Sequence, residues 1–340
     1  MGSSSQSGGD LVKLLDTFGR SHTSLRLSVT DRCNIRCFYC MPSEQIEFLP
    51  RPEVLSFEEL TRATKIFCQL GITKLRLTGG EPLVRRDLPE LVRQLSRIPE
   101  IQEIAMTTNA ILLERSAAEL RSAGLHRINI SLDTLDSQQF KEITRRDNLQ
   151  DVMRGIQAAQ QAGFTEIRLN AVAVKGLIES QIIPLARFCL EHALKLRFIE
   201  FMPLNSSGRW SDEDVLTGAK IRDIIEQDMG PLVPVKRSDP AQPASDFRLA
   251  EHDGSIGFIN SVSQPFCQAC NRLRLTADGK IRNCLFSQEE WDLRSLLRSE
   301  ATDQRIQQTI LECVKNKKAA HGIGSSDFKK PQRAMYQIGG

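Results

Sequence analysis

Six of the nine cysteines in this 340-residue chain fall into two tight groups, Cys33, Cys37, Cys40 and Cys267, Cys270, Cys284. Three thiolates within eight residues can wrap a metal centre, but they supply only three ligands. A structural zinc ion normally closes with four, so a zinc reading needs a ligand from elsewhere. A four-iron cluster on three cysteines leaves one iron open to an outside ligand. The spacing of the first trio allows both. The second trio begins as a CxxC and resembles a zinc ribbon lacking one member. His252 and Cys313 are conceivable fourth ligands, but neither has the usual close spacing. A missing ligand would leave a coordination site for substrate. The remaining Cys68, Cys189 and Cys313 stand alone in helix-like segments and are expected to be buried as small apolar residues.

A second pattern is cationic. Arg26 stands between Leu25 and Leu27, Arg76 between Leu75 and Leu77, and Arg168 between Ile167 and Leu169. In a strand alternate side chains face opposite sides, so the apolar neighbours should pack on a helix layer and each arginine should point into the interior. Arg272 and Arg274 flank Leu273 in the same way, two residues after Cys270. Buried guanidiniums are costly unless paired. Two explanations stay open: internal carboxylates such as Glu81, Asp133 or Glu200, or a polyanionic substrate such as a phosphate ester held by bidentate contacts.

The elements that must position these residues are legible between Leu25 and Leu204. Strand-like runs at 25–29, 74–78, 104–107, 127–132, 166–174 and 195–202 alternate with amphipathic segments. In the clearest of these, 56–70, Ser56 and Glu59 form a capping box and Gly71 is the stop; 149–162 ends likewise at Gly163. Strand–helix units in series imply parallel strands with right-handed crossovers. Six are too few for a closed eight-stranded barrel, so the expected fold is α/β, a partial (β/α)6 TIM-like barrel with a C-terminal β-containing module covering its open side. The expected divisions are a flexible tail at 1–15, the barrel at 16–236, a Pro-rich linker at 237–245, and the module at 246–340, with a hairpin turning at Ala277-Asp278-Gly279.

Composition bounds the function. The chain is 40% hydrophobic and 26% charged, with a net charge of +3, and has no apolar run approaching a membrane span. Near-balanced charge argues against nucleic acid and anionic membranes as partners, so any anion site must be local. An odd cysteine count and an N-terminus without a secretory signal argue against a disulfide framework and for a cytoplasmic location.

Cys33-Asn-Ile-Arg-Cys37-Phe-Tyr-Cys40 resembles the signature of the radical S-adenosylmethionine (SAM) superfamily, and Thr78-Gly79-Gly80-Glu81-Pro82 resembles its second motif. The resemblance implies a 4Fe-4S cluster on the first trio and SAM contacts from Tyr39, Gly80, Ser131 and Met202. Two exposed glycines would let a ligand approach the backbone closely. Phe266-Cys-Gln-Ala-Cys-Asn271-Arg-Leu-Arg-Leu-Thr-Ala-Asp-Gly-Lys280 with Cys284-Leu285, the opening Gly19-Arg20 with Leu25–Cys33, and the closing Gly339-Gly340 narrow this to a resemblance to the GTP 3',8-cyclase family, covering residues 16–340.

Such membership implies that SAM is split to a 5'-deoxyadenosyl radical, which removes the C3' hydrogen of GTP. C3' then attacks C8 of guanine to form (8S)-3',8-cyclo-7,8-dihydroguanosine 5'-triphosphate, the first step of molybdenum cofactor (molybdopterin) biosynthesis. It further implies a second 4Fe-4S cluster on Cys267, Cys270 and Cys284 that binds guanine, and GTP contacts from Arg26, Arg76, Thr107, Arg168, Arg272 and Arg274. Leu273 could contribute its backbone only. At Arg168 the family often has lysine, so a planar fork replaces a point charge. Gly339 and Gly340 would reach into the active site as a catalytic tail. Implied partners are a flavodoxin- or ferredoxin-type reductant, a cyclic pyranopterin monophosphate synthase downstream, and a second copy in a homodimer. The rival readings are a peptide-modifying radical enzyme and a zinc protein binding nucleic acid.

Overall fold

The computed structural model describes residues 13–41, 45–204, 210–237, 239–249 and 254–340. Six strands run in chain order, β1 (Ser24–Ser28), β2 (Lys74–Thr78), β3 (Glu103–Thr108), β4 (Arg127–Ser131), β5 (Ile167–Ala173) and β6 (Lys195–Glu200). Between them lie α1 (Phe57–Gln69), α2 (Leu88–Ser96), α3 (Ala117–Ser122), α4 (Ser137–Thr144), α5 (Leu149–Gln161) and α6 (Ile182–Glu191). The capping box is present at α1: the Ser56 hydroxyl accepts from the Glu59 amide at 3.2 Å, and the Glu59 carboxylate accepts from the Ser56 amide at 2.7 Å. Gly71 and Gly163, just past α1 and α5, both take positive φ, which side chains resist. The apolar strand residues Leu25, Leu27, Leu75, Leu77, Ile128, Ile130 and Leu169 are buried in one core with Leu60, Ala63 and Phe67 of α1. The opposite face of the sheet is thereby left for polar side chains.

After β6 come α7 (Gly218–Met229), β7 (Leu232–Pro234), β8 (Ser245–Leu249), β9 (Ile256–Ile259), β10 (Arg272–Leu275), β11 (Lys280–Arg282) and β12 (Trp291–Asp292). Three helices follow, α8 (Leu293–Arg298), α9 (Asp303–Lys315) and α10 (Met335–Ile338). This part of the chain extends the barrel sheet at both edges. Strand β10 pairs parallel to β1, and β9 pairs parallel to β6. Eight strands are therefore parallel, bordered by the antiparallel pairs β11–β12 and β8–β7. The sheet ends at β12 and β7 and does not close. Covering both edges satisfies backbone groups that an open sheet would leave unpaired.

The predicted divisions shift in detail. Residues 1–12 of the predicted tail lie outside the described residues, but Leu14 is fully buried and its amide bonds Leu70, so the body begins before residue 16. The segment after β7 is tied down rather than free: Asp239 pairs with Lys74 at 2.8 Å. Strand β7, before the expected linker, pairs with β8, which starts at its end. Cys68, Cys189 and Cys313 are buried, as expected. No helix among the described residues is long and apolar enough to cross a membrane.

His22 is fully buried beside Asp16, and neither ring nitrogen has a hydrogen-bond partner. Burial, then the charge of Lys317, lowers its pKa to about 4. A histidine depressed in the fold stays neutral there and charges in the unfolded chain. Between about pH 6.5 and pH 4, acid therefore favours unfolding, by roughly 3 kcal/mol at the lower limit. His22→Phe should flatten the fall in melting temperature of the cluster-free chain over that window. A variant that loses stability as steeply as the parent refutes this account of His22.

Candidate active site

The polar face of the sheet encloses a cavity of about 460 Å³. Strand register decides its chemistry. Arg274 of β10, Arg26 of β1 and Arg76 of β2 are directly paired positions on three neighbouring strands. All three line the cavity, as do Arg168 and Arg272. At the ~4.8 Å strand spacing, like charges repel by roughly 3 kcal/mol at an effective dielectric constant of ~20. Burial, then Arg274 and Arg272, drives the pKa of Arg26 down; burial, then Arg26, does the same to Arg76. Arg274 falls to about 9 through burial and the nearby Arg272.

The carboxylates considered as internal partners are engaged elsewhere. Glu81 accepts from the Leu83 and Asn109 amides and the Thr108 hydroxyl. Asp133 accepts from the Tyr39 hydroxyl at 2.6 Å and the Val172 amide. Glu200 accepts from the Val262 and Ser263 amides. Arg168 does have a partner, Glu166 at 3.2 Å. Among the described residues Arg26, Arg76, Arg272 and Arg274 pair with no carboxylate.

Other cavity residues escaped the sequence reading. Arg197 sits between Leu196 and Phe198 on β6, the same signal used for the other arginines, and pairs with Asp246 at 3.1 Å. Arg127 opens β4 and pairs with Glu103, while Lys74 opens β2. With these, eight basic side chains line the cavity against three carboxylates. Asn129 lies on β4 between two buried isoleucines, and both atoms of its buried amide lack partners among the described residues. It pairs in register with Thr107 on one side and Arg168 on the other. Thr107 lines the cavity as expected, but Leu273 does not: its side chain is in the core and its backbone faces Leu25 in the sheet.

The first trio, with Tyr39, Gly80, Ser131 and Met202, lines the cavity just past the C-terminal ends of the strands. Gly79 and Gly80 also have a packing reason to be glycine. A Cβ on Gly79 would lie 2.5 Å from the Thr30 carbonyl oxygen, and one on Gly80 2.4 Å from that of Arg32. The chain's own loop into Cys33 fills the space over both glycines. The C-terminal tail is packed rather than frayed. Gly339 has φ +87°, a Cβ there would meet Thr78 Oγ1 at 2.7 Å, and its carbonyl accepts from Arg274. Gly340 lines the cavity.

The second trio lies towards the other end of the strands. Cys267 and Cys270 precede β10, and Asn271 binds Thr23 at the start of β1. Roughly 13 Å of strand, from Ser24 to Ser28, separates the two ends. These three cysteines do not line the cavity themselves; their neighbours Phe266, Asn271, Arg272 and Leu285 form that wall.

Both sulfur sets suit iron–sulfur ligation. All six thiols are free and half-buried, and N–H donors surround them. Asn109 reaches Cys33 at 3.8 Å, Arg272 and Lys317 reach Cys270 at 3.6 Å, and the Tyr336 and His321 amides reach Cys40 and Cys267. Such donors tune cluster sulfurs. Burial, then Glu81, pushes the Cys33 thiol up to about 11; burial, then Cys33, pushes Cys40 to about 12. Burial alone would raise Cys270 too, but Arg272 and Lys317 bring it to about 6.

The radical SAM superfamily model matches residues 27–189, and Molybdenum Cofactor Synthesis C matches 194–323. A GTP 3',8-cyclase of Rhodopirellula baltica is 52% identical over 97% of this chain and 93% of its own length. The chain belongs to the GTP 3',8-cyclase family. A relative of the same name from Mycolicibacterium smegmatis is 46% identical, covering 96% of this chain and 92% of its own. The division between the two matched regions falls before β6, so that strand, assigned to the barrel from sequence, opens the C-terminal match. SuiB of Streptococcus suis, solved bound to S-adenosylmethionine, shares the fold at 16% identity, with a TM-score of 0.60 over 85% of this chain and 68% of that one. As a family member the chain is a radical enzyme of molybdenum cofactor synthesis that works with SAM and an iron–sulfur cluster.

Unneutralised cations that bind an anion should destabilise the empty protein. Arg26→Met should raise the melting temperature of the ligand-free chain and weaken inorganic tripolyphosphate binding tenfold to a hundredfold, the range for one charge-assisted contact. A lower melting temperature with unchanged binding would mean that Arg26 serves the fold instead.

Proposed function

We propose that this chain binds GTP in its cavity, triphosphate on the arginines and ribose within reach of the first trio, and cyclises it to (8S)-3',8-cyclo-7,8-dihydroguanosine 5'-triphosphate. The observation that carries this reading is the row Arg274–Arg26–Arg76, in register and without carboxylates, beneath three cysteines at the strand ends.

Cys33, Cys37 and Cys40 would hold the first 4Fe-4S cluster, and Tyr39, Gly80, Ser131 and Met202 would hold SAM against it. The bound pair would supply the 5'-deoxyadenosyl radical chemistry, directed at the C3' hydrogen. The protein's own part is positional. The Tyr39 hydroxyl is fixed on Asp133, so the loop between Cys37 and Cys40 is anchored to the end of β4. Arg26, Arg76, Arg272 and Arg274 fix the phosphates, and Thr107 and Arg168 lie on the neighbouring wall for the nucleoside. Anchoring the triphosphate leaves the ribose within reach of the radical, and proximity selects C3' over its neighbours. Cys267, Cys270 and Cys284 would hold a second 4Fe-4S cluster, which would supply an iron site for the guanine. The tail, with Gly339 held by Arg274 and Gly340 in the cavity, excludes water and completes the catalytic wall.

The remaining roles follow from the same reading: a flavodoxin- or ferredoxin-type reductant, delivery of the product to a cyclic pyranopterin monophosphate synthase, a homodimer, and action in the cytoplasm. Peptide modification is the weaker alternative, because a peptide needs no row of bare cations.

Cys284→Ser should spare reductive cleavage of SAM and abolish the cyclised product. Full product formation from that variant would remove the second trio from the mechanism.

A further inference from the structure

Behind the arginine wall lies a buried cation that the proposed reaction leaves unused. Lys317, two residues past α9, is 5% exposed. Its ammonium donates to the Arg272 carbonyl at 2.9 Å, to the Asn283 carbonyl at 2.6 Å, and to Cys270 Sγ at 3.6 Å. An ammonium has three protons to donate and accepts nothing, so these contacts use all of them. Among the described residues no carboxylate pairs with it. Withdrawing an ammonium from water without an anion is costly, and here the only anion-forming group it touches is a cysteine sulfur.

The residues that follow continue the contact. Lys318 and Ala319 offer carbonyls to the Arg20 guanidinium at 2.7 and 2.9 Å, and the His321 amide reaches Cys267 Sγ. The same guanidinium donates to the Cys267 carbonyl at 2.7 Å and is fixed from behind by Asp16 at 2.6 Å. The segment 317–321 thus brackets the second trio: Cys270 through its sulfur, Cys267 through its sulfur, and Cys284 through the carbonyl of the residue before it, while Arg20, held by the same segment, takes the Cys267 carbonyl.

We infer that Lys317 is the counter-cation of the second iron–sulfur site, and that it sets how firmly the site holds its cluster and the potential at which that cluster is reduced. The inference rests on the reading that this trio holds a cluster. Reduction adds one electron to a cluster already carrying three thiolates. A positive charge donating a hydrogen bond to one of those sulfurs stabilises the reduced form more than the oxidised one and so raises the potential. Lys317 is thereby a positioning and tuning residue, with no contact to substrate.

The test uses the full-length chain carrying Cys33→Ser, Cys37→Ser and Cys40→Ser, reconstituted without oxygen so that only the second site remains. Iron is counted, and the cluster is titrated with dithionite under electron paramagnetic resonance. The parent should hold about four irons. Adding Lys317→Met should lower the iron content and move the midpoint of the remaining cluster to more negative potential, while Lys317→Arg should return both towards the parent. A Lys317→Met protein with the parent's potential overturns the inference. Should that variant retain no iron, Lys317→Gln, which keeps a donor for the carbonyls without the charge, must show the negative shift; an unchanged potential there overturns it equally. A parent that binds no iron removes the two-cluster reading itself, and this inference with it.

Discussion

Three guanidiniums on adjacent strands, at one level and without a carboxylate among them, are the constraint on which the rest of the structure depends. The β ladder holds their three Cα atoms side by side, since strand spacing is set by backbone hydrogen bonds. The leucines on either side are committed to the core, so the arginines cannot turn outward without exposing those leucines. An anion in the cavity would relieve the repulsion. One member of the row, Arg274, comes from β10, which joins β1 only when the C-terminal part docks. The anion site is therefore a property of the assembled sheet and is absent from either part alone.

The cavity has a direction. Along the strands it runs from the side of the second trio, past the arginine row, to the first trio at the C-terminal strand ends. Basic side chains on its wall and the first trio's sulfurs at the strand ends give the phosphates and the sugar of a nucleotide different places to sit. Close packing maintains this order. The glycine pair after β2 admits the loop into Cys33, and Gly339 fits between Ser28 and Thr78 where any side chain would collide. These glycines bring the first trio and the tail to the same end of the cavity.

Charge is distributed with equal economy. The net charge of +3 conceals a wall with eight basic side chains and three carboxylates. The cations at the cavity's margins, such as Arg127, Arg168 and Arg197, have carboxylates beside them, whereas the central row does not. Pairing at the margins holds those side chains in fixed orientations, and its absence at the centre leaves capacity for a ligand. The same division separates Lys317 from its neighbours, since its contacts are carbonyls and sulfur.

Much of this was legible in the order of residues. Strand-like runs between amphipathic segments placed six strands, and arginines set between apolar residues gave the cavity its charge, because side-chain direction in a strand follows from a two-residue period that is strictly local. The cysteine spacings were local for the same reason, and so was the α1 capping box. What sequence could not supply was pairing between distant segments. Nothing local says that β10 lies beside β1 or β9 beside β6, so the parallel sheet was read as six strands when it has eight. The partners of Glu81, Asp133 and Glu200, the loop that fills the space over Gly79 and Gly80, and the bracket of residues 317–321 around Cys267 and Cys270 all join positions far apart in the chain. Such contacts are decided by where whole elements pack, and packing is a property of the folded body that no short window of residues contains.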